Sequence, residues 1–250
     1  MCKIKDYTKQ MEEMNSSVAF RFDFYSMPSF RNTFVELVKE KLQIRDFTER
    51  LLTEEEKQTI NIDALCSVLD NSIDEVVSKK VYKMVCTTLG DDSLELYISP
   101  YFLFVIYSRT EENKQIPWEI LQTITGLLVE RKGDIDLQNT SCHVLYQKKT
   151  DETQLWEIFD HEAFPTLDTG AMTVGRYADQ HKYGDNVTVE LVRIIKIGQF
   201  KLPADKVIDP YFCININSIS NSNGDAFLEN PNIQDLYGIA CKEATKCFKE

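Results

Sequence analysis

The segment that decides the fold is residues 94–108, LELYISPYFLFVIYS. Its first part, LELYI, alternates apolar side chains at a period of two, which predicts a strand with one buried face. Pro100 breaks this strand, and the apolar run YFLFVIY at 101–107 predicts a second strand directly behind it. The two strands are too close in sequence for a crossover connection, so they favour an antiparallel pair.

The pattern continues upstream of this pair. Residues 81–88 predict a third strand, and the turn at 89–93 contains the Gly and Asp residues that hairpins use. The strands 81–88, 93–99 and 101–107 are therefore expected to form an antiparallel meander.

Amphipathic helices and further strands surround the meander. The order of strands and helices is not a strict βαβ alternation, so the sequence predicts an α+β protein with antiparallel meander sheets packed against amphipathic helices. The remaining predicted elements are a strand at 18–24, a helix opening at Ser26 and Pro28, a helix behind the capping box at 53–56, a helix at 116–131 that stops at Gly133, a strand at 141–147, a helix at 153–160, a polar loop at 166–186, strands at 187–197 and 211–219, a polar loop at 218–224 and a closing helix at 233–248.

The domain organisation follows from the same reading. Residues 1–15 are polar and are expected to form a mobile N-terminal segment. Residues 16–250 are expected to form a single globular unit, because no linker rich in Pro, Gly or Ser divides them. The order of elements also fits two similar halves, 16–135 and 136–250, although the sequence contains no clear repeat.

Composition excludes several classes of function. An apolar fraction of 43 % with 14 Phe and 11 Tyr suffices for a packed core. The formal net charge of −12 disfavours nucleic acid and membrane surfaces as partners, since both are polyanionic. The apolar run at 101–107 is far shorter than the about 20 residues that a membrane helix needs.

The cysteines and the N-terminus predict the cellular compartment. The 7 cysteines include no CxxC pair, and the N-terminus has no apolar signal segment. We therefore expect reduced thiols in a cytoplasmic protein.

Catalytic signatures are absent from the sequence. It contains no GxGxxG, GxxxxGKS or GxxxxGKT loop, no GxSxG elbow and no HExxH pair. We accordingly predict no cofactor, no metal and no catalytic residue.

The three histidines are the one cluster of reactive side chains, and all lie between residues 143 and 181. His161 lies at a predicted helix end, and Asp179, His181 and Tyr183 lie in the predicted loop 166–186. If the loop folds over the helix, these four residues would form a ligand-binding site. The competing interpretation, which the sequence favours, is that the histidines are solvated. His143 adjoins Cys142, and neighbours in a strand point to opposite faces.

The closing helix provides a second candidate surface. Leu236, Tyr237, Ala240 and Phe248 align on one apolar face, and Lys and Glu residues occupy the other. Such a helix can dock within its own chain or on a partner. We take the four residues as candidates for partner binding.

Four segments, 18–24, 96–131, 141–164 and 232–248, carry a resemblance to a known family. They resemble a sporadically distributed prokaryotic family of uncharacterised proteins of similar length. The resemblance implies a single intracellular α+β protein and implies no activity. Where that family has a basic strand with a central glycine between two arginines, this chain has NTSCHVLY at 139–146. A function of that strand would be altered here.

Three hypotheses on function remain open. The leading one is a non-catalytic protein-interaction or assembly module, whose partner is another protein or a second copy of the chain. The alternative is a small-ligand or nucleotide sensor with the polar loops 166–183 and 218–224 as a lid. The third is a metal-assisted enzyme around Asp160, His161 and His181.

Overall fold

The computed structural model describes most of the chain outside four longer segments. The described residues are 15–25, 31–44, 47–51, 53, 81–85, 94–99, 101–109, 116–149, 174–196, 200–201, 207–208, 211–222 and 224–247. The described set leaves out residues 1–14 of the predicted N-terminal segment, residues 54–80 with the predicted helix behind the capping box, the predicted helix at 153–160, and the residues His161 and Phe248.

Strands predominate over helices among the described residues. The strands are β1 (Asn15–Phe24), β2 (Phe47–Arg50), β3 (Val81–Val85), β4 (Leu94–Ile98), β5 (Phe102–Arg109), β6 (Leu137–Lys149), β7 (Val174–Tyr183), β8 (Val187–Lys196), β9 (Phe200–Lys201), β10 (Val207–Ile208) and β11 (Tyr211–Ser220). The helices are α1 (Arg31–Leu42), α2 (Trp118–Glu130), α3 (Gly224–Glu229) and α4 (Ile233–Thr245), with a 3₁₀ turn at Lys132–Asp134.

Nine of these strands form one sheet in the order β2-β3-β4-β5-β1-β6-β11-β8-β7. Each of its described pairings is antiparallel. β9 and β10 form a separate two-stranded ribbon. The predicted α+β class and the meander through β3, β4 and β5 are confirmed.

The centre of the sheet is β1, which is the first of the described strands. Phe20 lies opposite Val105 of β5 on one side and opposite Cys142 of β6 on the other. Phe22 and Phe24 follow on the same face of the strand, and all three phenylalanines are buried. Alternation at a period of two therefore delivers three aromatic rings to one core, as the sequence predicts.

The helices cover one face of the sheet, and we call it the helix face. α1 contributes Phe34 and Val38 to the core, α2 contributes Ile124 and Leu128, and α4 packs on β6 and β11. Trp118 of α2 joins the layers, since its ring meets Phe20 edge to face at 5.8 Å and Tyr237 at 5.5 Å. Edge-to-face pairs of this kind add about 0.5–1.5 kcal/mol to the free energy gained from burial.

The predicted loop 166–186 is wrong over most of its described part. Residues Val174–Tyr183 form β7, and a turn containing Gly184, at φ 65°, leads into β8. The segment VGRYADQHKY hides its strand character because an edge strand with charged side chains on both faces shows no apolar alternation. The predicted loop 218–224 is likewise shorter, because β11 extends to Ser220 and α3 begins at Gly224.

Gly224 is required by a close approach between α3 and β6. A Cβ atom at this residue would lie 1.8 Å from the backbone oxygen of Leu137 and 2.6 Å from its carbonyl carbon. In contrast, a Cβ at Gly238 in α4 would meet nothing within 4 Å. One glycine is therefore fixed by backbone packing and the other is free to gain a methyl group.

We predict opposite effects for alanine at the two positions. Gly224→Ala should lower the free energy of unfolding by about 2–4 kcal/mol, because backbone must move to admit the methyl group. Gly238→Ala should raise it by about 0.5–1 kcal/mol through helix propensity. Urea denaturation of both variants tests this, and equal effects would contradict the close approach of α3 to β6.

Candidate functional site

Three of the predicted ligand residues lie together on the helix face of β7. Asp179, His181 and Tyr183 are alternate residues of the strand, so their side chains share one face. They lie opposite Leu191, Val189 and Val187 of β8, which are core residues. The sequence placed these three residues in a loop, whereas the structure has them on one strand, and their role in ligand binding stays a prediction. His161 lies outside the described residues.

Each of the three side chains has a partner on a neighbouring element. The guanidinium of Arg193 pairs with the carboxylate of Asp179. His181 Nε2 lies 3.3 Å from Glu243 Oε2. Lys242 Nζ donates a hydrogen bond to the Tyr183 hydroxyl at 2.9 Å and lies 5.3 Å from the centre of the ring. β7 is thus tied to β8 and to α4 along half its length.

Glu243 is the central member of this cluster. Its side chain is 2 % exposed, and its two carboxylate oxygens accept hydrogen bonds from Lys246 Nζ at 2.7 and 2.8 Å. A buried carboxylate is tolerated only when cations or donors compensate for its lost hydration. Lys246 of the same helix and His181 of β7 supply that compensation.

Cys247 lies within the electrostatic reach of the same cluster. Burial raises the pKa of its thiol to about 11, and the nearby Glu243 and Asp179 carboxylates act in the same direction against Arg193 and Lys246. A thiol with this pKa is protonated at neutral pH and is a poor nucleophile. The cluster around Glu243 therefore holds β7 in place and does not activate the cysteine.

The apolar face of α4 is turned into the fold. Leu236 and Ala240 are fully buried and Tyr237 is 8 % exposed, because the helix packs on β6 and β11. Of the two alternatives for this helix, docking within the chain is the one observed. These three side chains are not an exposed docking surface, which corrects their assignment as partner-binding residues. Phe248, the fourth, lies outside the described residues.

A row of polar side chains crosses the other face of the sheet, opposite the helices. Gln180 Nε2 donates to Glu190 Oε1 at 3.1 Å, and Asn217 Nδ2 donates to Glu190 Oε2 at 3.1 Å. His143 lies directly opposite Asn217 in the register of β6 and β11. The hydrogen bonds thus connect β7, β8 and β11, with His143 of β6 beside them, and the sequence did not reveal this row because its members are far apart in the chain.

The polar row ends at a buried ion pair on β1. Arg21 Nε donates to Asp23 Oδ1 at 2.7 Å, and the two side chains are 7 % and 6 % exposed. Burial raises the pKa of Asp23, and Arg21 opposes this shift. The sequence contains a signal for this pair, since Arg21 and Asp23 alternate with the phenylalanines of the central strand. Charged residues in such a strand are rarely buried unless they are paired.

His143 is neutral in this environment. Its Nε2 lies 3.2 Å from Ser141 Oγ, and its ring meets Phe104 edge to face at 6.4 Å. Desolvation, with a smaller contribution from the Arg21 charge, lowers the pKa of His143 to about 3. Cys142, on the opposite face of the same strand, is fully buried in the core. The expectation that these two neighbours do not form one site is therefore met.

The described residues contain no arrangement that indicates a metal site. Within them, no group of three or more His, Cys, Asp or Glu side chains is arranged to hold a metal ion. None of the described helices is long and apolar enough to cross a membrane.

Comparison with known proteins adds no assignment. No protein-family model matches the chain, and no curated protein is similar enough to count as a relative. The resemblance to a prokaryotic family therefore stays a prediction.

The pKa of His143 predicts how stability depends on pH. Between the unfolded value of 6.5 and the folded value of about 3, the unfolded chain binds one proton more at this residue than the folded chain. The free energy of unfolding should therefore fall as the pH is lowered through this window, by at most about 1.4 kcal/mol per pH unit from this group. Asp23 has the opposite effect: because its pKa is raised, the folded chain takes up this proton more readily than the unfolded chain, which increases the free energy of unfolding as the pH is lowered.

We predict that His143→Gln reduces this slope, because glutamine retains a polar side chain but takes up no proton. Urea midpoints measured at several values between pH 4 and 7 for both proteins test it. Lys132→Gln, at an exposed residue of the 3₁₀ turn, serves as the control for a substitution to glutamine outside this environment. An unchanged slope in the His143 variant would show that this residue is protonated in the folded state.

The buried carboxylate of Glu243 gives a second prediction. Lys246→Ala should lower the free energy of unfolding by about 1–3 kcal/mol, because it removes two hydrogen bonds from a carboxylate that has little access to water. Adding Glu243→Gln to the same protein should restore part of this loss. Lys132→Ala, at an exposed lysine in the 3₁₀ turn, should change stability by less than about 0.5 kcal/mol. If Lys246→Ala and Lys132→Ala change the free energy of unfolding by the same amount, the contact of Lys246 with Glu243 does not stabilise the fold.

Proposed function

We propose that this protein is a non-catalytic interaction module of the cytoplasm, and that it binds an extended segment of another protein along β7. The bound segment would add a further strand to the sheet. Partners that bind in this way gain affinity from main-chain hydrogen bonds and specificity from alternate side chains.

The observation that carries the proposal is the length and exposure of β7. The strand has 10 residues and, within the described part of the chain, it pairs with β8 alone. Residues 178–182 are exposed. The backbone groups that point away from β8 are a template for another strand. The opposite edge, β2, has 4 residues and offers a much shorter template.

The second support is that β7 is held rigid before any partner arrives. Asp179, His181 and Tyr183 are each attached to β8 or α4 through the contacts of Arg193 and of the α4 side chains. A binding strand that is already ordered does not lose conformational entropy on association. The charged residues on β7 also explain how the free chain avoids unspecific pairing at this edge.

Net charge favours a different protein over a second copy of the chain. Two copies would each carry a formal charge of −12 and would repel each other over the distance of an encounter. A basic segment would instead be attracted, and its association rate would rise at low ionic strength. We therefore infer a partner segment with net positive charge.

The shifted pKa values support binding over catalysis. Burial raises the pKa of the Cys142 thiol well above its usual value, and that of Cys247 to about 11. Burial also lowers the pKa of His143 to about 3, which makes it a weak base. Each of these groups is shifted away from the state that a nucleophile or a general base needs near neutral pH.

Hydrogen exchange on a captured complex tests the proposal. The immobilised chain is used to capture proteins from native lysate at low salt, and the complex is then purified. Every second amide of residues 174–183 should exchange slowly in the free protein because of β8, and the alternate amides should become slow only in the complex. Amides of β2 should not change. Protection outside β7, or capture of a second copy of this chain alone, would contradict the proposal.

A proline variant adds a genetic test of the same edge. The exchange rates of the free protein decide the position of the proline. If the Ala178 amide exchanges fast, it points away from β8 and Ala178 is replaced; otherwise the neighbouring Tyr177 is replaced. Since proline removes the outward N–H, capture should weaken by about tenfold or more. Thr48→Pro on β2 is the matched control and should capture normally. Both variants must first melt as folded proteins, and equal capture by both would contradict the role of β7.

A further inference from the structure

We draw no further inference here: the strongest candidate, the groove of about 660 Å³ that Trp118 of α2 and Ile233 of α4 line between the two helices, carries none because nothing in the described part of the structure shows what covers it.

Discussion

The pairing of β1 with both β5 and β6 is the interaction on which the rest of the structure depends. It joins the strands β2 to β5 on one side to the strands β6, β11, β8 and β7 on the other. The strand also supplies Phe20, Phe22 and Phe24 to the core and carries the ion pair of Arg21 and Asp23 on the opposite face. Because β1 is far in sequence from β6, the two parts of the sheet join only after long-range contacts form. Folding that depends on such contacts is typically slow.

The order of strands repeats on the two sides of this junction. On one side β1 lies next to β5, the last strand before α2, and on the other β6 lies next to β11, the last strand before α3 and α4. The order of described strands is therefore alike on the two sides, within one shared sheet, and the two similar halves expected at 16–135 and 136–250 stay a prediction. The helices α2 and α4 occupy corresponding places, and they meet where Trp118 contacts Tyr237 at 5.5 Å.

The sequence predicted the parts of the fold that have a clear apolar pattern. β4 alternates and α2 has a helical period, whereas β5 is a continuous apolar run that the structure buries on both faces. β7 was missed because an edge strand bearing Asp179, His181 and Lys182 has no apolar face to detect. The apolar face of α4 was found, but a pattern cannot tell whether such a face meets its own sheet or a partner. Contacts between distant residues, such as that of His181 with Glu243, depend on register and were beyond reach.

The placement of polar groups explains why partner binding is proposed at the edge strand β7 and not on the sheet faces. On the helix face Glu243 is compensated by Lys246, and on the other face Arg21 pairs with Asp23. Groups paired in this way gain nothing from a ligand, because a new contact would have to replace an existing one. In contrast, β7 pairs with β8 alone among the described residues, so its outer backbone groups meet no other strand there. A strand that adds to this edge forms hydrogen bonds without breaking any within the fold, so the edge gains more from association than the paired side chains do.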